Sequence, residues 1–265
     1  MPAANVIGLV EALKAPYGLE RSVKITQGTL ADDRCLISVG RSALGEDAGG
    51  RLLQMARALD LPARFAQELP AALDRADVVH FGYETLAGRD IYKVYCEYAA
   101  SARRAMVSPT RAPTLVHLAY KWMPGEPDSG AVTRYTWVPY GNRIELEQKL
   151  EVLVPAEAAP QAHRCAFALV ARVPALAESG ELLLMEVAEP GNPRRSCDLN
   201  VYDAELKMSD VADVIDAALT DFAVPDARRR AAFDPARERM LGHLSAGRGR
   251  DGAEFVTIYF GVEAH

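Results

Sequence analysis

Apolar and polar residues alternate at every second position over long stretches of the chain, and that period predicts strands. In DVVHFGYET (77–85), Val79, Phe81 and Tyr83 oppose His80, Gly82 and Glu84. In DIYKVYCEY (90–98), Tyr92, Val94, Cys96 and Tyr98 oppose Ile91, Lys93, Tyr95 and Glu97. TLVHLAYKWM (114–123) puts His117 and Lys121 opposite Val116, Leu118, Tyr120 and Trp122, and AVTRYTWVP (131–139) follows it. LAGR and PGEPDSG lie between the members of each pair, so two hairpins are expected. Shorter strands are predicted at 23–26, 35–39, 181–190 and 254–263, and IELEQKLEVLVP (144–155) is read as one more. Helical spacing governs 4–14, 162–173, the stripe Leu52, Leu53, Met55, Ala56 and Leu59, a segment at 63–75, and the stripe Val211, Val214, Ile215 and Leu219.

The elements repeat. CLISVGRSAL from Cys35 and CDLNVYDAEL from Cys197 align without a gap. Each copy runs through helical sequence past a proline, Pro62 or Pro225. Each then closes on F-G-x-E, at Phe81-Gly82-Tyr83-Glu84 and at Phe260-Gly261-Val262-Glu263. Two β-α-α-β units are expected, at about 35–84 and 197–263, with a shortened version between them. No Gly/Ser/Pro-rich linker interrupts residues 1–265, which are read as one domain. The fold class is α+β: an antiparallel sheet, open or closed into a barrel, with helix pairs on its outside.

Charge and composition narrow the partners. A net charge of −6 excludes a general nucleic-acid surface. Arg103-Arg104, Arg194-Arg195 and Arg228-Arg229-Arg230 are read as solvated faces. No apolar run reaches the roughly 20 residues of a membrane span, and the first residues read as an amphipathic helix, so a cytoplasmic protein is expected. The four cysteines form no CxxC pair and are read as small hydrophobes. Asp32-Asp33 lacks an acidic partner for a magnesium site, and GxGxxG, G-x-S-x-G and HExxH are missing, so neither metal nor cofactor is expected.

One sheet face mixes Lys, His, Glu, Asn and Tyr. It is either a solvated outer surface or the lining of a lumen or cleft. Tyr, His and single Lys residues beside Gly82 and Ala119 favour the lining. Lys93 and Tyr95 point the same way, about 7 Å apart along a strand, and can hold one phosphate or carboxylate. His117, Lys121, Arg134, Tyr202 and Tyr259 are the candidate partners by strand position.

The order of elements over about 75–263, with the K-x-Y pair at Lys93 and Tyr95, resembles the αββα (ABBA) barrel of the aromatic prenyltransferases. That family holds an allylic pyrophosphate with Lys, Arg and Tyr at alternate strand positions. The resemblance implies a lumen ringed by helices and a metal-independent prenyl transfer. The chain departs from the family in being short and in placing Arg134 and Tyr135 on opposite sides, so no second R-x-K-x-Y strand is intact. The leading expectation is a biosynthetic transferase acting on an anionic small molecule or a peptide. The alternatives are a non-catalytic accessory or maturation protein that grips a peptide or protein partner, and a binding protein without turnover.

Overall fold

The computed structural model describes residues 2–86, 88–128 and 130–265. In chain order it comprises α1 (Pro2–Glu11), β1 (Tyr17–Thr26), β2 (Thr29–Ala31), β3 (Arg34–Gly40), α2 (Ala48–Ala58), α3 (Ala63–Leu73), β4 (Val78–Leu86), β5 (Arg89–Glu97), α4 (Ala99–Met106), β6 (Thr114–Trp122) and β7 (Ala131–Trp137). These are followed by α5 (Arg143–Leu153), α6 (Pro160–Arg172), α7 (Pro174–Ser179), β8 (Leu183–Ala188), β9 (Arg195–Asn200), α8 (Ala212–Asp221), α9 (Asp226–Phe233), β10 (Leu241–Arg248) and β11 (Glu254–Ala264). The strands pair antiparallel in the order β1-β3-β4-β5-β6-β7-β8-β9-β10-β11. β11 returns to β1, from Gly18 opposite Ala264 to Ile25 opposite Val256, and closes a ten-strand barrel. Short β2 extends from one end of β1.

Closure leaves the sheet no long free edge and gives every strand an inner and an outer face. The outer faces are apolar and carry the helices. Ile37, Val39, Val79, Phe81, Val94, Cys96 and Trp122 pack against α1, α2 and α3 through Val10, Leu52, Phe65 and Leu69. Across the barrel, Val23, Ile25, Leu184, Leu199, Leu244, Val256 and Ile258 pack against α5, α6 and α8 through Leu146, Leu150, Leu169 and Ile215. α4, through Ala102, packs on a smaller cluster of inner-face side chains, Val116, Trp137 and Met185.

The β-α-α-β rhythm is present at β3-α2-α3-β4 and at β9-α8-α9-β10, while a single helix joins β5 to β6 and three join β7 to β8. The two F-G-x-E strands are not equivalent. β4 hydrogen-bonds to the strand that opens its unit, whereas β10 separates β11 from β9. Their glycines also serve different ends. Gly82 faces Lys93 across the ladder, where a Cβ would crowd the lysine stem. Gly261 has φ +69°, the left-handed region, and its N–H donates to the Met240 carbonyl.

Residues 144–155 are not the expected strand. Asn142 accepts a hydrogen bond from the Glu145 N–H at 3.0 Å and starts α5, which buries Leu146 and Leu150 one turn apart. β10 escaped the sequence reading because LGHLSAGR is small and buried on both faces, so it has no alternation to detect. α4, AASARRAM, carries no apolar stripe.

Val94 is fully buried between β5 and the helices. Val94→Asp should abolish cooperative unfolding followed by circular dichroism, because an unpaired buried carboxylate costs several kcal/mol. A variant melting within a degree or two of the parent would refute this placement.

Candidate functional site: a divided barrel lumen

Strand alternation sends one row of side chains from each strand inward. Ladder register stacks those rows into layers. Lys93 pairs with Lys121, Tyr95 with Ala119, and His117 with Tyr135, while Ser22 pairs with Tyr259. Tyr95, Tyr135 and Tyr259 border two cavities at once. This tyrosine layer divides the lumen into two chambers. Tyr95 and Tyr135 lie 5.8 Å apart between ring centroids, and burial raises the pKa of all three hydroxyls, keeping them protonated donors.

The first chamber, of about 240 Å³, is cationic. Lys24, Arg34, Lys93, Lys121, Arg194 and Arg250 line it, against only Glu84 and Asp251 among its lining carboxylates. Glu84 is buried and gathers three of the cations: Arg34, Lys93 Nζ at 2.9 Å and Lys121 Nζ at 2.6 Å. Glu189, buried behind the rim, accepts from Arg194 Nη1 at 2.9 Å, Thr133 Oγ1 at 2.8 Å and Arg250. Burial alone would raise the Glu189 carboxyl; the Arg250 hydrogen bond and the Arg194 charge bring it below the usual range. Burial and then mutual repulsion depress the ammonium groups. Lys24 is lowered to about 7 by burial and the Lys121 and Arg34 charges. Lys121 falls to about 7 by burial and the Arg34 charge, and Lys93 falls well below its ordinary value for the same reasons. This is a site with more positive charge than its own acids neutralise, and an anion would relieve it.

The second chamber, of about 460 Å³, has apolar patches at Leu36, Val116, Leu183, Met185 and Val262 between two polar clusters. In one cluster, Ser38 Oγ lies 2.7 Å from His80 Nδ1, and His80 Nε2 lies 2.8 Å from Glu97 Oε2. His117 stands against His80 and Tyr135, with ring centroids at 5.8 and 5.7 Å. Burial lowers His117 to about 4, so it is neutral, and its Nδ1 is buried without a hydrogen-bond partner. In the other cluster, Tyr202, held in a short 3₁₀ turn, donates to Glu20, and His243 Nδ1 contacts Asp198 Oδ2 at 2.9 Å. Burial alone would lower His243, but Asp198 and Glu20 raise it to about 10, and it stacks on Tyr259 at 3.8 Å as an imidazolium. Gly242 makes room here, since a Cβ would overlap Glu20 and Tyr202. His80, Glu97 and His117 offer ligand atoms within 4.8 Å of one another and are the described residues that could hold a metal ion.

Six of the seven candidate residues therefore share the lumen: Lys93 and Lys121 in the first chamber, His117 and Tyr202 in the second, and Tyr95 and Tyr259 between them. Arg134 does not join them. It is exposed on the outer face, and its neighbour Tyr135 is the residue that points inward. Arg194 corrects a second expectation: it is half-buried, lining the lumen and paired with Glu189, rather than solvated. Glu20, Arg34, Asp198 and His243 were missed. The available signal was the alternation Glu20-x-Ser22-x-Lys24 and Arg34-x-Leu36-x-Ser38, all of which face inward. The four cysteines lie away from both chambers, and burial raises each thiol, in keeping with packing roles.

No protein-family model matches the sequence, and no curated protein matches it significantly. Solved structures do match in fold. The 6-dimethylallyltryptophan synthase from Micromonospora olivasterospora, solved in complex with DMASPP and Trp, is 17% identical, with 92% of this chain and 81% of that chain covered, at a TM-score of 0.58. NotF, solved in complex with brevianamide F and DMSPP, is 10% identical over 91% and 79% of the two chains, at a TM-score of 0.59. AnaPT from Neosartorya fischeri is 11% identical over 91% and 77%, at 0.55. The chain thus has the barrel fold of the aromatic prenyltransferases, as the order of its elements suggested.

The depressed lysines make anion binding proton-linked. At pH 8, Lys24 and Lys121, with pKa about 7, are largely neutral. A bound anion favours their charged forms and raises both values, so the complex holds more protons than the free protein. Affinity should therefore fall as pH rises from 7 to 9. Sulfate, which carries no titrating proton there, should bind at pH 8 with net proton uptake, read by calorimetry in buffers of different ionisation enthalpy. Proton release would contradict this assignment.

Proposed function

We propose that this protein is a prenyl-type transferase that moves an allylic group from a diphosphate to an aromatic acceptor inside the barrel. The observation that carries this reading is the division of one lumen into a cationic chamber and an aromatic, carboxylate-lined chamber, with three tyrosines between them. The diphosphate sits among Lys24, Arg34, Lys93, Lys121, Arg194 and Arg250, whose charge is enough to balance it. Tyr95, Tyr135 and Tyr259 lie where the allylic carbon would emerge. Their π faces stabilise developing positive charge and keep bulk water from it.

The chemistry balances with the groups present. The allylic C–O bond breaks, its electron pair leaves with the diphosphate, and the cationic chamber stabilises that leaving group. A carbon of the aromatic ring supplies the electron pair of the new C–C bond. The ring then loses the proton from that carbon to a carboxylate. Glu20 is the base in this reading, because Tyr202 and His243 hold it on the wall beside the tyrosine layer.

The likeness in fold to barrels solved in complex with DMASPP or DMSPP supports an allylic diphosphate as the ligand. The alternative of a peptide gripped on an open sheet face has less support, because the polar face is enclosed and the outer face carries helices.

Incubation with dimethylallyl diphosphate and a panel of indoles in the presence of EDTA should yield an alkylated product by mass spectrometry. Glu20→Gln should bind the thio analogue of the diphosphate as the parent does and lose about 10²-fold or more in turnover. Unchanged turnover would remove Glu20 from this role, and failure of the parent to bind the analogue would overturn the transfer reading.

A further inference from the structure

The second chamber has a charge character of its own. Among the described residues no lysine or arginine lines it, whereas Glu20, Glu97 and Asp198 all do. These three carboxylates face two histidines at ion-pair distance, His80 beside Glu97 and His243 beside Asp198 and Glu20. The cations of the first chamber cannot serve it, because they lie beyond the tyrosine layer and would be engaged by the diphosphate. A carboxylate on the acceptor would meet one cationic side chain, His243, which Asp198 and Glu20 already engage, and an uncompensated buried charge is strongly unfavourable.

The three carboxylates are not equally available. The Asp198 side chain is 2% exposed and bound to His243; that of Glu20 is 5% exposed and bound to Tyr202. The Glu97 side chain is 24% exposed. Its Oε2 is bonded to His80, and its Oε1 takes no hydrogen bond among the described residues. Glu97 pairs along the ladder with His117, whose Nδ1 is buried without a partner and whose ring stands on Tyr135. A polar group that reaches Glu97 therefore brings the molecule carrying it against the wall formed by His117, Tyr95 and Tyr135.

Resting on the transferase reading above, we propose that the acceptor is an aromatic compound bearing a basic amine and no carboxylate, with its ammonium group held by Glu97. The ring lies against His117 and the tyrosine layer, and the apolar patches at Leu183, Met185 and Val262 take its remaining surface.

Four indole probes separate the possibilities: tryptamine, indole, tryptophan and indole-3-propionate. Each would be titrated into the protein loaded with the thio analogue of dimethylallyl diphosphate. Tryptamine should bind at least ten-fold more tightly than tryptophan and indole-3-propionate. Glu97→Gln should abolish that preference while still binding the thio analogue, which also reports that the variant is folded. Val262→Arg, at an exposed position on the chamber lining, should supply the missing cation and strengthen tryptophan binding. Equal or tighter binding of the carboxylate-bearing probes, no binding of tryptamine, or a preference that survives Glu97→Gln would overturn the inference. Because loading with the thio analogue is measured first, its failure would count against the transferase reading and not against this one.

Discussion

Arg34, Lys93 and Lys121 come from three different strands, and Glu84 is what lets them share one space. Like charges held within roughly 4–6 Å repel by about 3–4 kcal/mol at a protein-like dielectric. Without a buried carboxylate at their centre, these cations would turn away or lose their protons. Glu84 offsets part of the repulsion and fixes their positions, but it answers only one of the three charges. Burial first, and then this unanswered positive charge, depress the ammonium groups of Lys24, Lys93 and Lys121. An anion entering this chamber meets donors already oriented by Glu84 and Glu189, so little reorganisation is left to do.

The tyrosine layer follows from that arrangement. A strongly positive chamber and a carboxylate-rich chamber in one lumen would pair with each other if nothing stood between them. Three aromatic rings keep them apart and still offer hydroxyl donors and π faces to whatever spans the division. The outer faces of the same strands carry the stability, through apolar packing on α1–α3 at one side and on α5, α6 and α8 at the other. Lumen residues are thereby left free to carry chemistry.

Sequence periodicity reached the faces of β4 through β6, because those strands bury one apolar row and one polar row. It placed Lys93, Tyr95, His117 and Lys121 on one side, where they lie. Arg134 was misjudged because type was weighed above the alternation that sends Tyr135 inward in its stead. Alternation left closure open, since the β1–β11 pairing joins distant parts of the chain, and the order of the elements was what suggested a barrel. The Glu20–His243–Asp198 cluster was hidden for the same reason: its members come from β1, β9 and β10, and β10 has no alternation to detect. The F-G-x-E match misled because one glycine clears space for a lysine and the other turns a bulged strand.

The central claim is that the cationic chamber binds a diphosphate through its own side chains. The most direct measurement is calorimetric titration of the thio analogue of dimethylallyl diphosphate, in EDTA, into the parent protein and a Lys93→Ala/Lys121→Ala variant that still melts cooperatively. The account predicts one site in the parent that weakens as salt is raised, and a loss of at least 100-fold in affinity in the variant, about 3 kcal/mol for two charge-assisted contacts. A parent that does not bind, or a variant that binds equally well, would contradict it.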